Sequence, residues 1–289
     1  MGRSGSVPRD EGTAGVKPPA EVDVLVVGFG AAGASAAIAA HDAGASVAVV
    51  EKTSSGGGNC VHSGGFLFDV DGPRAVDHLD ALCFGKTDRG VLEAYARGLA
   101  DIPEFLESLG GTAAPVDMGA FGGMLPSWPH FPGAGHVRYR QFAPAPDDRF
   151  APAPDDRRGP DPGERPGPAL WRVLDDGVRE RGIPVALDTP VVDLLTGAGG
   201  VEGAIVERDG ERTTIAAHGG VILASGGFEA DPELCDTYLP LPLVSVGHQG
   251  NTGDTIRLAQ DAGASLWHMS AFFGWLSFVH PDYPAAFTL

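Results

Sequence analysis

The apolar pattern of this chain changes period sharply near its start. The run DVLVVG at residues 23–28 is strand-length and almost unbroken in its apolar character; GFGAAGASAAIAAHDAG follows, rich in alanine, and SVAVVEK then supplies a second apolar run that ends in Glu51 and Lys52. The pattern predicts a strand, a tight turn, a helix and a second strand. Further on, Val91, Leu92, Tyr95, Leu99, Ile102, Phe105, Leu106 and Leu109 recur at three- and four-residue spacing, which predicts a core-packed helix stopped by Gly110 and Gly111 and kinked or restarted at Pro103. Leu170, Trp171, Leu174 and Val178 mark another helix. Short apolar runs at residues 183–187 and 191–195 read as strands, and runs at 201–206 and 212–216 flank Arg208-Asp209-Gly210 as a hairpin. A separate buried strand is expected at residues 221–224, then a short helix with Asp231 as N-cap and Pro232 at its first position, then a helix from about Asp254 to Ala262 followed by a short strand.

The first unit carries recognisable chemistry. Gly28, Gly30 and Gly33 form the GxGxxG spacing: the first glycine permits a sharp turn, the second lets backbone approach a pyrophosphate, and the third lets the helix pack on the strands. The helix N-terminus favours an anion through its unpaired amides and its dipole. Glu51 ends the second strand about 20 residues further on, where a carboxylate accepts hydrogen bonds from ribose hydroxyls and disfavours a 2′-phosphate, which argues against NADP. The chain holds 43 glycines, so the spacing alone would be weak; the flanking strands and the placed acid give it force. Two other readings stand beside it. Residues 24–40 are 17 uncharged positions, near the length of a short membrane span, but three glycines and many alanines interrupt them. A dinucleotide-type unit that has lost its ligand would look the same.

Composition narrows the partners. With 20 basic and 38 acidic side chains, the net charge of −18 repels phosphate backbones and anionic membranes, so neither nucleic acid nor membrane is an expected partner. Cys60, Cys83 and Cys235 are an odd set without a CxxC pair, which implies neither a disulfide framework nor a zinc site. Residues 1–21 lack the apolar core of a secretory signal and read as a flexible tail; a cytoplasmic location is the default expectation. Five of the ten residues at 56–65 are glycine, a loop suited to bringing amides to a cofactor. Residues 143–168 hold eight prolines, and FAPAPDDR occurs twice in tandem at 142–149 and 150–157, which predicts a disordered loop.

Taken in order, DVLVVGFGAAGASAA with VVEK, GGGNCVHSGG, VILASGGFEADPEL and GNTGDTIRLAQDAGASLWHM resemble the FAD-dependent superfamily of fumarate reductase and succinate dehydrogenase flavoproteins and 3-ketosteroid dehydrogenases. The resemblance implies an α/β fold: a Rossmann-like FAD-binding domain at 22–289 with a parallel central sheet, an added β-hairpin or meander, a helical and substrate-side insertion at 66–142, and the start of a capping region at 270–289. It assigns Gly28, Gly30, Ala31, Ala32, Gly33 and Glu51 to the ADP moiety and places Lys52 and Thr53 beside the ribose. Gly57, Gly58, Asn59, Cys60, Ser63, Gly64 and Gly65 would line the flavin and pyrophosphate, and Val192 would meet adenine through its backbone. Ala224, Ser225, Gly226 and Gly227 match the ATGG turn, with serine in place of threonine. Asn251, Gly253 and Asp254 match GxxGDG, with Thr255 in place of the last glycine.

For catalysis, His62, His248 and Asp254 are the candidates, the histidines because both lie in glycine-rich loops; a hydrogen-bonded structural histidine is the bland alternative. Cys60 and His62 are too few ligands for a metal. His130, His136, Arg138 and Arg140 lie where the family often approaches substrate, and a solvated loop accounts for them equally well. The implied reaction is hydride transfer between flavin N5 and a carbon–carbon bond next to a carbonyl or carboxylate, with an unsaturated acid or ketone as substrate and an unidentified electron donor or acceptor. The family continues into a capping domain, whereas the 22 residues beyond Trp267 fall short of the roughly 50 a domain needs, so a truncated or degenerate FAD-binding module without turnover is the competing expectation.

Overall fold

The computed structural model describes residues 16–63, 65–115, 128–144, 169–240, 245, 247–270, 277–279 and 286–288. Most of the expected tail, Gly64, nearly all of the proline-rich segment and most of residues 270–289 therefore lie outside the described residues. The chain divides into two compact units.

The first unit is built on a six-stranded sheet. Strand β1 (Glu21–Val27) leads into helix α1 (Ala31–Asp42) and β2 (Val47–Val50), as the apolar periods predict. Both strands are buried because a parallel sheet is covered on its two faces, and Leu25, Val26 and Val49 are fully excluded from solvent. Each such side chain contributes about 1.5–3 kcal/mol. The uncharged stretch at 24–40 is thus part strand and part 12-residue helix, and no helix among the described residues is long and apolar enough to cross a membrane.

Beyond these elements the unit adds β6 (Val185–Ala186), β7 (Val191–Gly197), β8 (Gly200–Arg208) and β9 (Glu211–Leu223), in the sheet order β6-β2-β1-β9-β8-β7. The first four strands in that order run parallel; β8 and β7 are antiparallel additions. Asp209 and Gly210 close the β8–β9 hairpin with φ of 51° and 80°, the two left-handed positions of a two-residue turn. Residues 212–216 and 221–224 are not two strands: β9 runs 13 residues, pairing first with β8 and then with β1. His218 and Gly219 fall in an irregularity of the β1–β9 register, and a Cβ on Gly219 would stand 2.9 Å from the Asp23 carbonyl, so Gly219 permits a change of partner rather than ending the strand.

Helix α5 (Pro232–Tyr238) is capped as expected, the Asp231 carboxylate accepting from Leu234 N at 2.9 Å, and α6 spans Asp254–Asp261. No strand follows α6 at residues 264–268. A short pair, β10 (Ser277–Val279) with β11 (Ala286–Thr288), also falls in this unit.

The second unit contains a three-stranded antiparallel sheet that the apolar pattern did not disclose: β3 (Phe66–Val70), β4 (Gly111–Pro115) and β5 (Val137–Pro144), ordered β3-β5-β4. Helices α2 (Ala75–Leu82) and α3 (Arg89–Ser108) share a core of Val76, Leu79, Leu92 and Ala96. Helix α3 passes through Pro103 without a break, its two sides anchored by buried Leu99 and Leu106. Its apolar stripe is narrower than expected: Val91 and Tyr95 are more than half exposed, and Ala96 takes a place in the core. Arg138 pairs with Asp71, just past the end of β3, and Arg140 with Asp69 at 2.7 Å and with the Ala113 carbonyl at 3.0 Å, so both expected substrate-side arginines have acidic partners within their own unit. Helix α4 (Ala169–Glu180) is shared by the two units, which divide at Leu174.

Candidate cofactor site

The carboxyl ends of β1, β2 and β9 lie side by side in the first unit, joined by main-chain bonds: Gly28 N donates to Val50 O at 2.8 Å and Ala224 N to Val27 O at 2.7 Å. Gly28 turns the chain out of β1 at φ 101°, and a Cβ there would stand 2.5 Å from the Ala224 carbonyl. A Cβ on Gly33 would stand 1.9 Å from the Gly28 carbonyl, so helix α1 starts against the turn only because this residue has no side chain. Gly30 is unlike both. Its nearest neighbour would be Gly57 O at 3.6 Å, an ordinary contact, so protein packing does not demand glycine there. Gly30 also N-caps α1 without a side-chain bond, and no acid lies in the first turn. The amides at Ala31, Ala32 and Gly33 therefore sit at the positive end of α1 with no side-chain cap, an arrangement that attracts an anion.

Glu51 is held from three directions. Its Oε2 accepts from Phe29 N at 2.8 Å, and its Oε1 accepts from Thr53 N at 2.9 Å and Thr53 Oγ1 at 2.7 Å. A carboxylate has about four acceptor positions, which leaves one on Oε2 for a further donor. The glycine loop is pinned beside this turn: Gly57 N donates to Phe29 O at 2.6 Å, Gly57 bridges Gly30, and a 3₁₀ turn at Gly58–His62 buries Cys60.

Two turns carry the remaining predicted residues of this unit. Gly253 N donates to Gly227 O at 3.0 Å, joining the turn after β9 to the turn before α6. Ser225 Oγ and Thr255 Oγ1 are hydrogen-bonded, so the two departures from the family motif are partners of one another. Lys52 Nζ donates to Asp254 Oδ2 at 2.5 Å and to Thr252 Oγ1 at 2.7 Å, tying the end of β2 to the start of α6. Asn251, only 5% exposed, donates to Glu229 Oε1 at 2.6 Å, and Asn59 donates to the same oxygen at 2.7 Å.

His248 N donates to Asn59 Oδ1 at 2.7 Å, and His248 Nδ1 accepts from Gly250 N at 3.0 Å. That bond selects, for the neutral ring, the tautomer with its proton on Nε2. The His62 ring is 6.1 Å from it, centroid to centroid. Val192, exposed on β7, is the extra residue of a bulge, since Val191 pairs with Val206 and Asp193 with Ile205. Its main chain is thereby out of ladder register. Ser63 and Gly65 belong to the second unit and are not grouped with these residues; Gly64 is outside the described set. No group of three or more His, Cys, Asp or Glu among the described residues is arranged to hold a metal.

Charges at the periphery are firmly held. The Leu234 amide and then the Arg257 guanidinium keep the Asp231 carboxyl below its ordinary range. Burial pushes the Cys235 thiol up, which leaves it a poor nucleophile. Sequence reasoning passed over Glu229 and Thr252, although both lie inside quoted motifs. An acid directly after the ASGGF turn was the available signal.

The architecture recurs in proteins of known structure. A 3-ketosteroid Δ1-dehydrogenase from Sterolibacterium denitrificans, crystallised with 1,4-androstadiene-3,17-dione, superposes with a TM-score of 0.75 at 26% identity, over 93% of this chain and 59% of that one. An open flavocytochrome c3 fumarate reductase matches with a TM-score of 0.65 at 28% identity, over 86% and 41% of the two chains. In sequence, a 3-oxosteroid 1-dehydrogenase of Mycolicibacterium smegmatis is 30% identical across an alignment of 308 positions, gaps included, that covers 85% of this chain and 54% of the relative. An NADH:fumarate oxidoreductase of Klebsiella pneumoniae is 27% identical over 263 residues, 87% of this chain and 25% of the relative. The chain thus spans between a quarter and just over half the length of these two curated relatives. The model of the FAD binding domain matches residues 23–279, from the first strand through the turns that surround Gly30 and on to β10. This chain belongs to that family of FAD binding domains, and its cofactor is FAD.

Proposed function

We propose that this protein is an FAD-dependent oxidoreductase that moves a hydride between flavin N5 and a carbon–carbon single or double bond next to a carbonyl or carboxylate. The observation that carries the reading is the open Gly30 face beside the uncapped start of α1, in a chain whose relatives include fumarate reductases and 3-oxosteroid dehydrogenases. Those two groups act on chemically different compounds that share the activated bond. The donors and acceptors present fit the ADP half of FAD: the amides at Ala31, Ala32 and Gly33 suit the pyrophosphate, the spare position on Glu51 Oε2 suits a ribose hydroxyl, and the Val192 main chain suits adenine.

When bound, the flavin supplies the hydride chemistry. The protein's share is binding, orientation and proton handling. Lys52 pairs with Asp254 at the head of α6, Asn59 holds the His248 main chain, and Gly250 N on Nδ1 directs the ring so that Nε2 is the nitrogen left for a proton. These contacts support His248 ahead of His62 as the proton-handling residue. The reading divides the chain as the sequence suggested, with residues 22–289 as the FAD-binding domain and 66–142 as its substrate-side insertion.

The test uses the purified protein loaded with FAD. Under anaerobic conditions, 4-androstene-3,17-dione is expected to bleach the oxidised flavin band, or fumarate to restore it after chemical reduction. A yellow holoprotein whose spectrum responds to neither an enone nor an unsaturated acid would favour a binding module without turnover.

A further inference from the structure

We propose that Glu229 is a positioning residue for the bound cofactor, acting as a shared acceptor that orients the Asn59 and Asn251 amides and so holds two FAD-contacting loops in register. The inference rests on the placement of FAD proposed above and on the family resemblance, which puts the Asn59 and Asn251 loops beside the cofactor.

Both amides donate to one atom, Glu229 Oε1, at 2.7 Å from Asn59 Nδ2 and 2.6 Å from Asn251 Nδ2. An amide that donates through its nitrogen must present its oxygen elsewhere, so a single carboxylate sets the direction of both. Asn59 Oδ1 is thereby turned to receive His248 N at 2.7 Å. Asn251 also ties its own main chain into the same assembly, donating to His248 O and accepting from Ala230 N, each at 3.0 Å. The link spans the glycine loop, the turn after β9 and the turn before α6. Glu229 is separated from Asn59 by 170 positions and from Asn251 by 22.

The neighbouring glycines are matched to this arrangement. A Cβ on Gly226 would stand 2.4 Å from Asn251 Oδ1, one on Gly227 would stand 2.5 Å from Glu229 Oε2, and one on Gly247 would stand 2.8 Å from both Glu229 Oε1 and Asn59 Oδ1. Side chains at any of the three would push the network apart. Asn251 is nearly inaccessible to water, so loss of its acceptor would leave a buried donor unpaired. Charge-assisted bonds of this kind are about twice as strong as neutral ones, which suits a carboxylate to the task.

The experiment titrates apoprotein with FAD and records the visible circular dichroism of the bound flavin at saturation, well below the melting temperature. Glu229→Ala is expected to bind FAD at least about tenfold more weakly and to show an altered flavin band when saturated. Glu229→Gln keeps an acceptor at the same place and is expected within about threefold of wild type, with an unchanged band. Loss of folding stability alone would not change the band of saturated flavin. Wild-type affinity or a wild-type band in Glu229→Ala would overturn the proposal, as would Glu229→Gln as weak as Glu229→Ala. Should Glu229→Ala fail to fold, Asn59→Ala cuts the same link at an exposed residue; it is expected to weaken FAD about threefold or more, and unaltered binding would equally overturn the role. Gly30→Val separates the layers. If it retains FAD, the placement itself is wrong; if it loses FAD while Glu229→Ala behaves as wild type, only the role of Glu229 is removed.

Discussion

The turn at Gly28–Gly33 and the loops around Glu229 lie in the same unit and differ in the balance of main-chain and side-chain bonds that hold them. At the turn, main chain meets main chain: Gly28 N with Val50 O, Ala224 N with Val27 O, Gly57 N with Phe29 O. Around Glu229, side chains do the joining, as in Asn59–Glu229–Asn251, Lys52–Asp254 and Ser225–Thr255. Main-chain bonds are available to nearly every residue type, so the turn depends on where side chains are absent. The loops depend on which side chains are present. The difference separates a template for an anion, fixed by main chain, from loops whose geometry depends on side-chain identity.

Substitutions at the turn sharpen this contrast. Gly33→Val places a Cβ 1.9 Å from the Gly28 carbonyl, where both groups are backbone and neither can rotate away. It is expected to cost about 3 kcal/mol or more, read by urea unfolding, and a wild-type midpoint would break the account of how α1 starts. Gly30→Val meets only an ordinary contact at 3.6 Å, so it should fold within about 1 kcal/mol of wild type yet purify colourless. A yellow Gly30→Val protein would mean that the open face is not the pyrophosphate position.

Smaller effects follow for side chains. Glu51→Ala removes an acceptor for three local donors as well as the proposed ribose contact, and FAD affinity should fall between about tenfold and a hundredfold in equilibrium titration. The smallest effect is at the far end of α1. Arg181 donates to both oxygens of Asp42 and lowers its carboxyl pKa from 3.8 to about 2. Because the folded pKa is the lower one, this pair stabilises fully above pH 4 and its contribution disappears as pH falls through about 2. Asp42 is half exposed, so the amount is under about 1 kcal/mol. Asp42→Asn should lower stability slightly at pH 7 and flatten the acid limb of the stability profile below pH 4; an unchanged limb would assign the acid sensitivity elsewhere.

The β1–α1–β2 unit was legible because its period, its glycines and its terminal acid all report on contacts within about 30 residues of chain. The β8–β9 hairpin was legible for the same reason, through Asp209-Gly210. Strand β9 was misread as two because Gly219 and Gly220 look like punctuation until β1 is known to lie beside them. The β3-β5-β4 sheet was missed because β3 and β5 pair across about 70 residues, and short strands without a clean alternation leave no local trace. The stripe on α3 was placed partly on Val91 and Tyr95, which face water, since periodicity defines a helical face and not the neighbour that covers it.

The candidate site divides along the same line. Gly28, Gly30, Gly33 and Glu51 follow from residue type and spacing, because a sharp turn, a close approach and a placed carboxylate have few chemical solutions. The directions of the Asn59 and Asn251 amides, the joining of Asn59 to the His248 main chain and the pairing of Lys52 with Asp254 come from folding, which brings together groups as much as 202 positions apart. A hydrogen bond is decided within about 0.5 Å. Spacing along a chain does not resolve distances that small, and packing does.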